Sequence, residues 1–146
     1  MSTRVQQSVI INRPVEQVFA YIIDYRNAPR WQPTILENQV TPEGPAQEGT
    51  RVTDVRTFIG YKIESAYKIT ELEPNAQVSF ESMSGPFPYH GSIFFKPLDN
   101  ATWLMYELVI EAKGFFKLTG SMLASNMKQE VATSLDLLKR LLEAGE

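Results

Sequence analysis

Few side chains in this sequence could carry chemistry. His90 is the sole histidine, and there is no cysteine. An imidazole titrates near neutral pH and can move protons. A lone His without a spaced Ser or Asp partner makes no nucleophilic triad. In the stretch Tyr89–Pro97 it shares parity with Ser92, Phe94 and Lys96, which reads as an outer strand face. Tyr67 and Tyr106 fall on the inner faces of their strands. A phenol in an apolar pocket can orient a ligand carbonyl or hydroxyl; a core tyrosine bonded to backbone is the competing reading. Asp54 and Arg56 flank Val55, with Val52 and Phe58 at their own parity. A buried pair there could hold a polar head group, but a surface ion pair is the favoured reading. Glu107 and Glu111 share a face that reads as solvated.

Other chemistries are disfavoured by composition. Without Cys there are no disulfides, thiolates or Cys-ligated clusters, and a single His makes zinc a poor expectation. The 41–49 loop has glycines but no Lys followed by Ser or Thr, so it is no phosphate loop. No cofactor is expected. Met122, Met127 and Phe115–Phe116 could form an adaptable cavity wall, although plain packing is favoured for Met127. Asn126 either offers its amide to a ligand or faces solvent.

These residues need elements to position them. Leu123, Met127, Val131, Leu135, Leu138 and Leu142 recur at steps of four, four, four, three and four, one face of a 3.6-residue helix. Lys128, Glu130, Asp136, Lys139 and Glu143 are assigned to its other faces. A helix over 114–143 would be roughly 40 Å long. Lys139 and Arg140 near its end complement the helix dipole.

The rest reads mainly as strands. Residues 4–12 form the first. Pro14 then suits the first position of a short helix over 14–23, with Val15, Val18, Phe19 and Ile22 as its stripe. A connector with two prolines permits one helical turn, ending at Trp31. Six strands follow: Ile35–Val40, Thr50–Ile59, Tyr61–Leu72, Gln77–Met83, Tyr89–Pro97 and Thr102–Lys113. In Tyr61–Leu72, Ile63, Ser65, Tyr67 and Ile69 alternate with Lys62, Glu64, Ala66 and Lys68. In the last, Leu104, Tyr106, Leu108 and Ile110 alternate with Met105, Glu107, Val109 and Glu111. A bulge at Gly60 or Gly91 would exchange these faces. The expected architecture is α+β: a curved antiparallel sheet of seven strands around a long C-terminal helix. Gly120, Ala124 and Ala132 would leave that helix underfilled in its N-terminal half, over a cavity.

The chain has 146 residues, 43% of them hydrophobic, which suits one domain over 1–146 with a sizeable core. A net charge of −3 without a basic block argues against nucleic acid. No apolar run approaches a membrane span, and the N-terminus has no signal-peptide core. The expectation is therefore a cytoplasmic protein without integral membrane association. Nothing in the sequence points to an oligomeric state.

Ser8-Val-Ile-Ile-Asn-Arg-Pro-Val-Glu-Gln-Val-Phe19 and then Asp24-Tyr-Arg-Asn-Ala-Pro-Arg-Trp-Gln-Pro33 resemble the opening of polyketide cyclase/dehydrase-like proteins. These belong to the START-like (SRPBCC), helix-grip superfamily that includes the birch-pollen allergen. Gly49-Thr-Arg-Val52, Ile69-Thr-Glu-Leu-Glu-Pro74, Ser84-Gly-Pro-Phe-Pro-Tyr89 and Leu135-Asp-Leu-Leu-Lys-Arg-Leu141 extend the likeness over nearly the whole chain. The resemblance implies a helix-grip fold and a hydrophobic small molecule held between sheet and long helix. It brings no universal catalytic residue, and it implies that Trp31 lies near the cavity mouth.

The expected lining is Phe19, Trp31, Phe58, Tyr67, Phe80, Tyr106, Met122 and Met127. Binding of a hydrophobic or aromatic ligand is the first reading. A cyclase or dehydratase that folds a flexible substrate is the second, told apart by turnover. A protein-interaction module using the outer sheet face is the third, told apart by association without ligand.

Overall fold

The computed structural model describes residues 2–58, 60–111 and 120–145, with side chains from 122 onward in the last stretch. Its elements run β1 (Ser2–Ile11), α1 (Val15–Ile23), a 3₁₀ turn (Tyr25–Asn27) and α2 (Ala28–Trp31). They continue through β2 (Ile35–Thr41), β3 (Arg51–Phe58), β4 (Tyr61–Glu73), β5 (Gln77–Ser84), β6 (Tyr89–Leu98), β7 (Ala101–Glu111) and α3 (Gly120–Glu143). The strands make one sheet in the order β1-β7-β6-β5-β4-β3-β2. Every neighbouring pair is antiparallel. This is the helix-grip arrangement.

Strand parity places the inner face. On β4, Ser65, Tyr67 and Ile69 are buried while Glu64 and Lys68 are exposed. The register runs unbroken through Gly91 on both sides of β6. The turn at Gly60, with φ of 80°, joins a β3–β4 pairing that is regular from Arg51 to Phe58. The sheet's irregularities lie elsewhere, at Ile35/Glu37, Ala66/Tyr67 and Ile69/Glu71. After the last of these the inward side chain is Leu72, half-buried, three residues beyond Ile69.

Helix α1 starts one residue later than its proline suggested. Pro14 keeps an extended ψ of 148°, and its carbonyl accepts from the Gln17 and Val18 amides, the geometry of a capping position. Val15, Val18, Phe19 and Ile22 are all buried, as their spacing predicts. The connector after α1 is pinned locally. The Asp24 carboxylate accepts from the Arg26 amide at 3.2 Å, and the Asn38 amide group donates to the Tyr25 carbonyl at 2.7 Å. That second bond ties the turn to β2.

All six stripe residues of α3 are buried, from Leu123 to Leu142. Each fully buried Leu contributes about 1.5–3 kcal/mol, so this stripe holds the helix on the sheet. The C-terminal end is anchored at the β1–α1 corner. Lys139 Nζ donates to the Ile10 carbonyl at 2.6 Å, and the Glu143 carboxylate accepts from the Asn12 amide at 2.8 Å. An Arg13 guanidinium N–H donates to the Glu143 carbonyl at 2.6 Å, satisfying an acceptor that the helix end leaves open. One expectation is corrected here. Ala132 is exposed and Ala124 only half-buried, so Ala132 is turned away from the sheet and does not thin the roof.

Candidate functional site

A cavity lies between the inner sheet face, α2 and α3. Its atom-free space is about 760 Å³, counting the part open to solvent. Trp31, Phe58, Tyr67, Phe80, Tyr106 and Met127 are on its wall. The strands present Phe58, Tyr67, Phe80 and Tyr106, α2 supplies Trp31, and α3 supplies Met127 from the buried stripe. The rings pack at angles to one another. Tyr67 and Phe80 have centroids 5.4 Å apart, Phe80 and Tyr106 6.2 Å, and Phe58 and Phe87 5.6 Å. Such tilted pairs match ring edges to ring faces and make a firm apolar wall.

Two expected lining residues are elsewhere. Phe19 is buried, but it lies edge-on to Phe95 at 5.1 Å and off the cavity wall, to which α1 contributes Ile22 instead. Met122 is 50% exposed and also off the wall. Phe115 and Phe116 lie outside the described residues. Asn126 is exposed, and its amide donates to the Met122 carbonyl at 2.8 Å. His90 is exposed on the outer face, as its parity predicts. Glu107, on the outer face, accepts from the Gln6 amide at 2.5 Å.

The polar edge of the cavity departs most from expectation. Asp54 and Arg56 are not a surface pair. Asp54 is 1% exposed and Arg56 21%, with N···O of 2.7 Å. Arg56 also reaches Gln32 Oε1 at 3.4 Å. Ser65 donates to the second Asp54 oxygen at 3.3 Å and shares a hydrogen bond of 3.0 Å with the Tyr89 hydroxyl. Arg56, Ser65 and Tyr89 all line the cavity. Asp54 and Ser65 are cross-strand partners in register, which is why one chain of bonds spans β3, β4 and β6.

Glu130 completes this edge. It was assigned to an outer face of α3, but it lines the cavity with Met127. The 127, 130, 131, 134 spacing is itself a helical stripe, with Val131 and Ser134 buried. That is the signal that would have found it. A smaller hollow continues behind Arg56 and Glu130 towards Ser134.

Burial sets the charge states here. Desolvation raises the Tyr89 phenol to about 12 and holds Tyr67 and Tyr106 well above the ordinary tyrosine range. All three are neutral donors and acceptors at pH 7. Burial works against the Arg56 charge, but the adjacent Asp54 outweighs it and raises the guanidinium. Burial also raises the Glu130 carboxyl, opposed by Arg56.

A carboxyl raised in the folded state favours folding at low pH. That contribution is lost as pH climbs from the ordinary value of 4.5 through the raised folded value. Glu130→Gln therefore melts above the wild type at pH 8, and the gap closes towards pH 4. Thermal unfolding at the two pH values checks this; a gap that does not change with pH would contradict it.

Among the described residues, no group of three or more His, Asp or Glu is placed to hold a metal ion. No helix among them is long and apolar enough to cross a membrane.

Comparison with known proteins places this geometry. A START superfamily protein from Mycobacterium smegmatis superposes with a TM-score of 0.84 at 17% identity, covering 98% of this chain and 99% of that one. TTHA0849 from Thermus thermophilus gives 0.83 at 23%, covering 98% and 99%. The Zhui aromatase/cyclase from Streptomyces sp. R1128 gives 0.82 at 16%, covering 98% and 94%. These likenesses establish the shared fold. Comparison with curated protein sequences gave no match. The profile of the polyketide cyclase / dehydrase and lipid transport family matches residues 2–143, and the chain belongs to that family.

Proposed function

We propose that this protein binds a neutral aromatic or apolar small molecule bearing a carbonyl group. The observation that carries the reading is a mostly apolar cavity whose polar edge centres on an already neutralised arginine. Apolar burial supplies affinity, and a few polar groups set orientation. Arg56 has five N–H donors and uses two on Asp54 and Gln32, so donors remain for a ligand oxygen. Its charge is matched by Asp54, and Glu130 adds a second acid beside it. A carboxylate ligand would meet that acid, whereas a ketone would not. The family to which the chain belongs is named in part for lipid transport, which supports an apolar cargo.

Fluorescence titration with 2-acetylnaphthalene and 2-naphthoate tests the reading. The ketone is expected to bind about tenfold tighter than its carbonyl-free analogue 2-ethylnaphthalene, the factor of one charge-assisted hydrogen bond, and tighter than naphthoate at pH 8, where Glu130 opposes a second carboxylate. The double variant Asp54→Val/Arg56→Met should lose the ketone's advantage over 2-ethylnaphthalene. Tighter naphthoate binding would overturn the neutral-ligand reading, and a ketone advantage unchanged in the variant would remove Arg56 from the site. Native mass spectrometry of freshly purified protein, with solvent extraction, would then identify the natural cargo.

A second reading is favoured by one observation. Glu130 is a carboxyl with a raised pKa in the same cavity as an arginine donor. That pairing can move a proton while Arg56 polarises a carbonyl, as a cyclisation or dehydration requires. A carrier returns its ligand unchanged; an enzyme yields a new mass.

A further inference from the structure

The hydrogen-bond chain along the polar edge has a direction, and the direction selects ligands. We propose that Tyr89 acts as a hydrogen-bond acceptor towards the ligand, so that the site requires a hydroxyl donor on the molecule it binds. This rests on the binding reading above and specifies its ligand class as a hydroxylated aromatic ketone.

The chain ends at a carboxylate. Asp54, ion-paired to Arg56, can only accept. Its second oxygen takes the Ser65 hydroxyl proton at 3.3 Å. A serine has one proton to give, so in the 3.0 Å bond to Tyr89 its oxygen must accept. The Tyr89 proton is then committed to Ser65, which leaves the phenol oxygen of this cavity-lining residue with acceptor capacity only. Reversing the order would strip Asp54 of its Ser65 donor at a site where it is 1% exposed, and a buried carboxylate oxygen without a donor is costly.

Three neighbouring rings surround the Tyr89 ring. Tyr67 stands 6.4 Å from it, Phe80 6.3 Å and Phe87 6.4 Å. The Tyr89 backbone amide is fixed on Ser82 Oγ at 2.9 Å. Arg56 presents only donors and Tyr89 presents an acceptor. A ligand that satisfies both carries a carbonyl oxygen at one edge and a hydroxyl at another, with an apolar body between. A methyl ether in place of the hydroxyl would set two acceptors against each other.

The test compares 2-acetylnaphthalene with its hydroxy and methoxy derivatives at ring positions 6 and 7, by fluorescence titration. In the wild type, at least one hydroxy compound should bind about tenfold tighter than the parent, and its methyl ether no tighter than the parent. In Tyr89→Phe the hydroxyl advantage should vanish while the parent still binds. In Ser65→Ala the freed phenol proton can donate, so the ether should gain on the hydroxy compound. A wild-type ether that matches its hydroxy partner, or a hydroxyl advantage that survives Tyr89→Phe, overturns the assignment and leaves the cavity reading standing. Failure of all the compounds to bind overturns both. If Ser65→Ala does not fold, the wild-type and Tyr89→Phe comparisons decide alone.

Discussion

Asp54→Ala should lower stability by about 3 kcal/mol, the low end of the cost of breaking a buried ion pair from one side. The low end applies because Arg56 keeps one-fifth of its side chain exposed and can recover some hydration. For a chain of this length that is a fall of about 10 °C in melting temperature. The cost comes from the partner left behind. Arg56 would keep its charge beside Tyr67, Tyr106 and Met127, with only the 3.4 Å bond to Gln32 and Glu130 nearby to answer it. Asp54→Val/Arg56→Met removes both charges together and should melt within about 3 °C of the wild type, because paired removal is often neutral or stabilising. Thermal unfolding of the two variants checks this. If Asp54→Ala melts within about 2 °C of the wild type, the pair is solvated and contributes little.

Gly91→Ala should cost about 2–3 kcal/mol, an overpacking penalty, although it adds one methyl group. A Cβ at this position would lie 2.6 Å from the Glu107 carbonyl oxygen and 2.6 Å from Phe80 Cζ. Neither neighbour can retreat easily. Glu107 is on β7, hydrogen-bonded to β6 on one side and β1 on the other. The Phe80 ring is hemmed in by Tyr67, Tyr89 and Tyr106. The remaining direction for the ring is into the cavity, so ligand affinity should fall with stability. Phe80→Leu placed on top of Gly91→Ala should restore part of the loss, a non-additivity expected of contacting residues. Denaturant unfolding of the single and double variants measures it. A Gly91→Ala protein as stable as the wild type would mean that the β6–β7 pairing gives way more readily than its register implies.

Much of this site was legible because strand alternation is strict. Tyr67 on β4, Phe80 on β5 and Tyr106 on β7 followed from period two, and Met127 followed from the stripe on α3. The Asp54–Arg56 pair shows the limit. Parity already set it with Val52 and Phe58, but charged side chains are seldom buried. What covers the pair comes from distant segments: Gln32 from the end of α2 and Ser65 across the hairpin. The hairpin register about Gly60 does set Asp54 opposite Ser65, so a pairing argument could have found that bond. Tyr89 had the inner parity, yet its link to Ser65 joins β6 to β4, strands that are not neighbours in the sheet. Phe19 failed differently. Its periodicity predicted burial, and it is buried, but periodicity does not say which neighbour a buried side chain meets. Glu130 was misplaced because its charge was read before its spacing.

The order of strands also governs when this protein can exist. Strand β1 pairs only with β7 in the sheet, and Gln6 meets Glu107 across 101 positions. Ribosomes add about 5–20 residues per second, so the first strand waits roughly five to twenty seconds for its partner. Meanwhile β2 to β7 can grow hairpin by hairpin, each step closing a short loop. Joining β1 closes the longest loop, and such distant pairings slow folding. Helix α3 leans on β1 and is pinned to its end by Lys139, Glu143 and Arg13, so it can settle only after that joining. The cavity lies under α3. Until α3 has docked, the chain therefore has most of its sheet but nowhere to hold a ligand, and the binding site arises in the last step of this domain's folding.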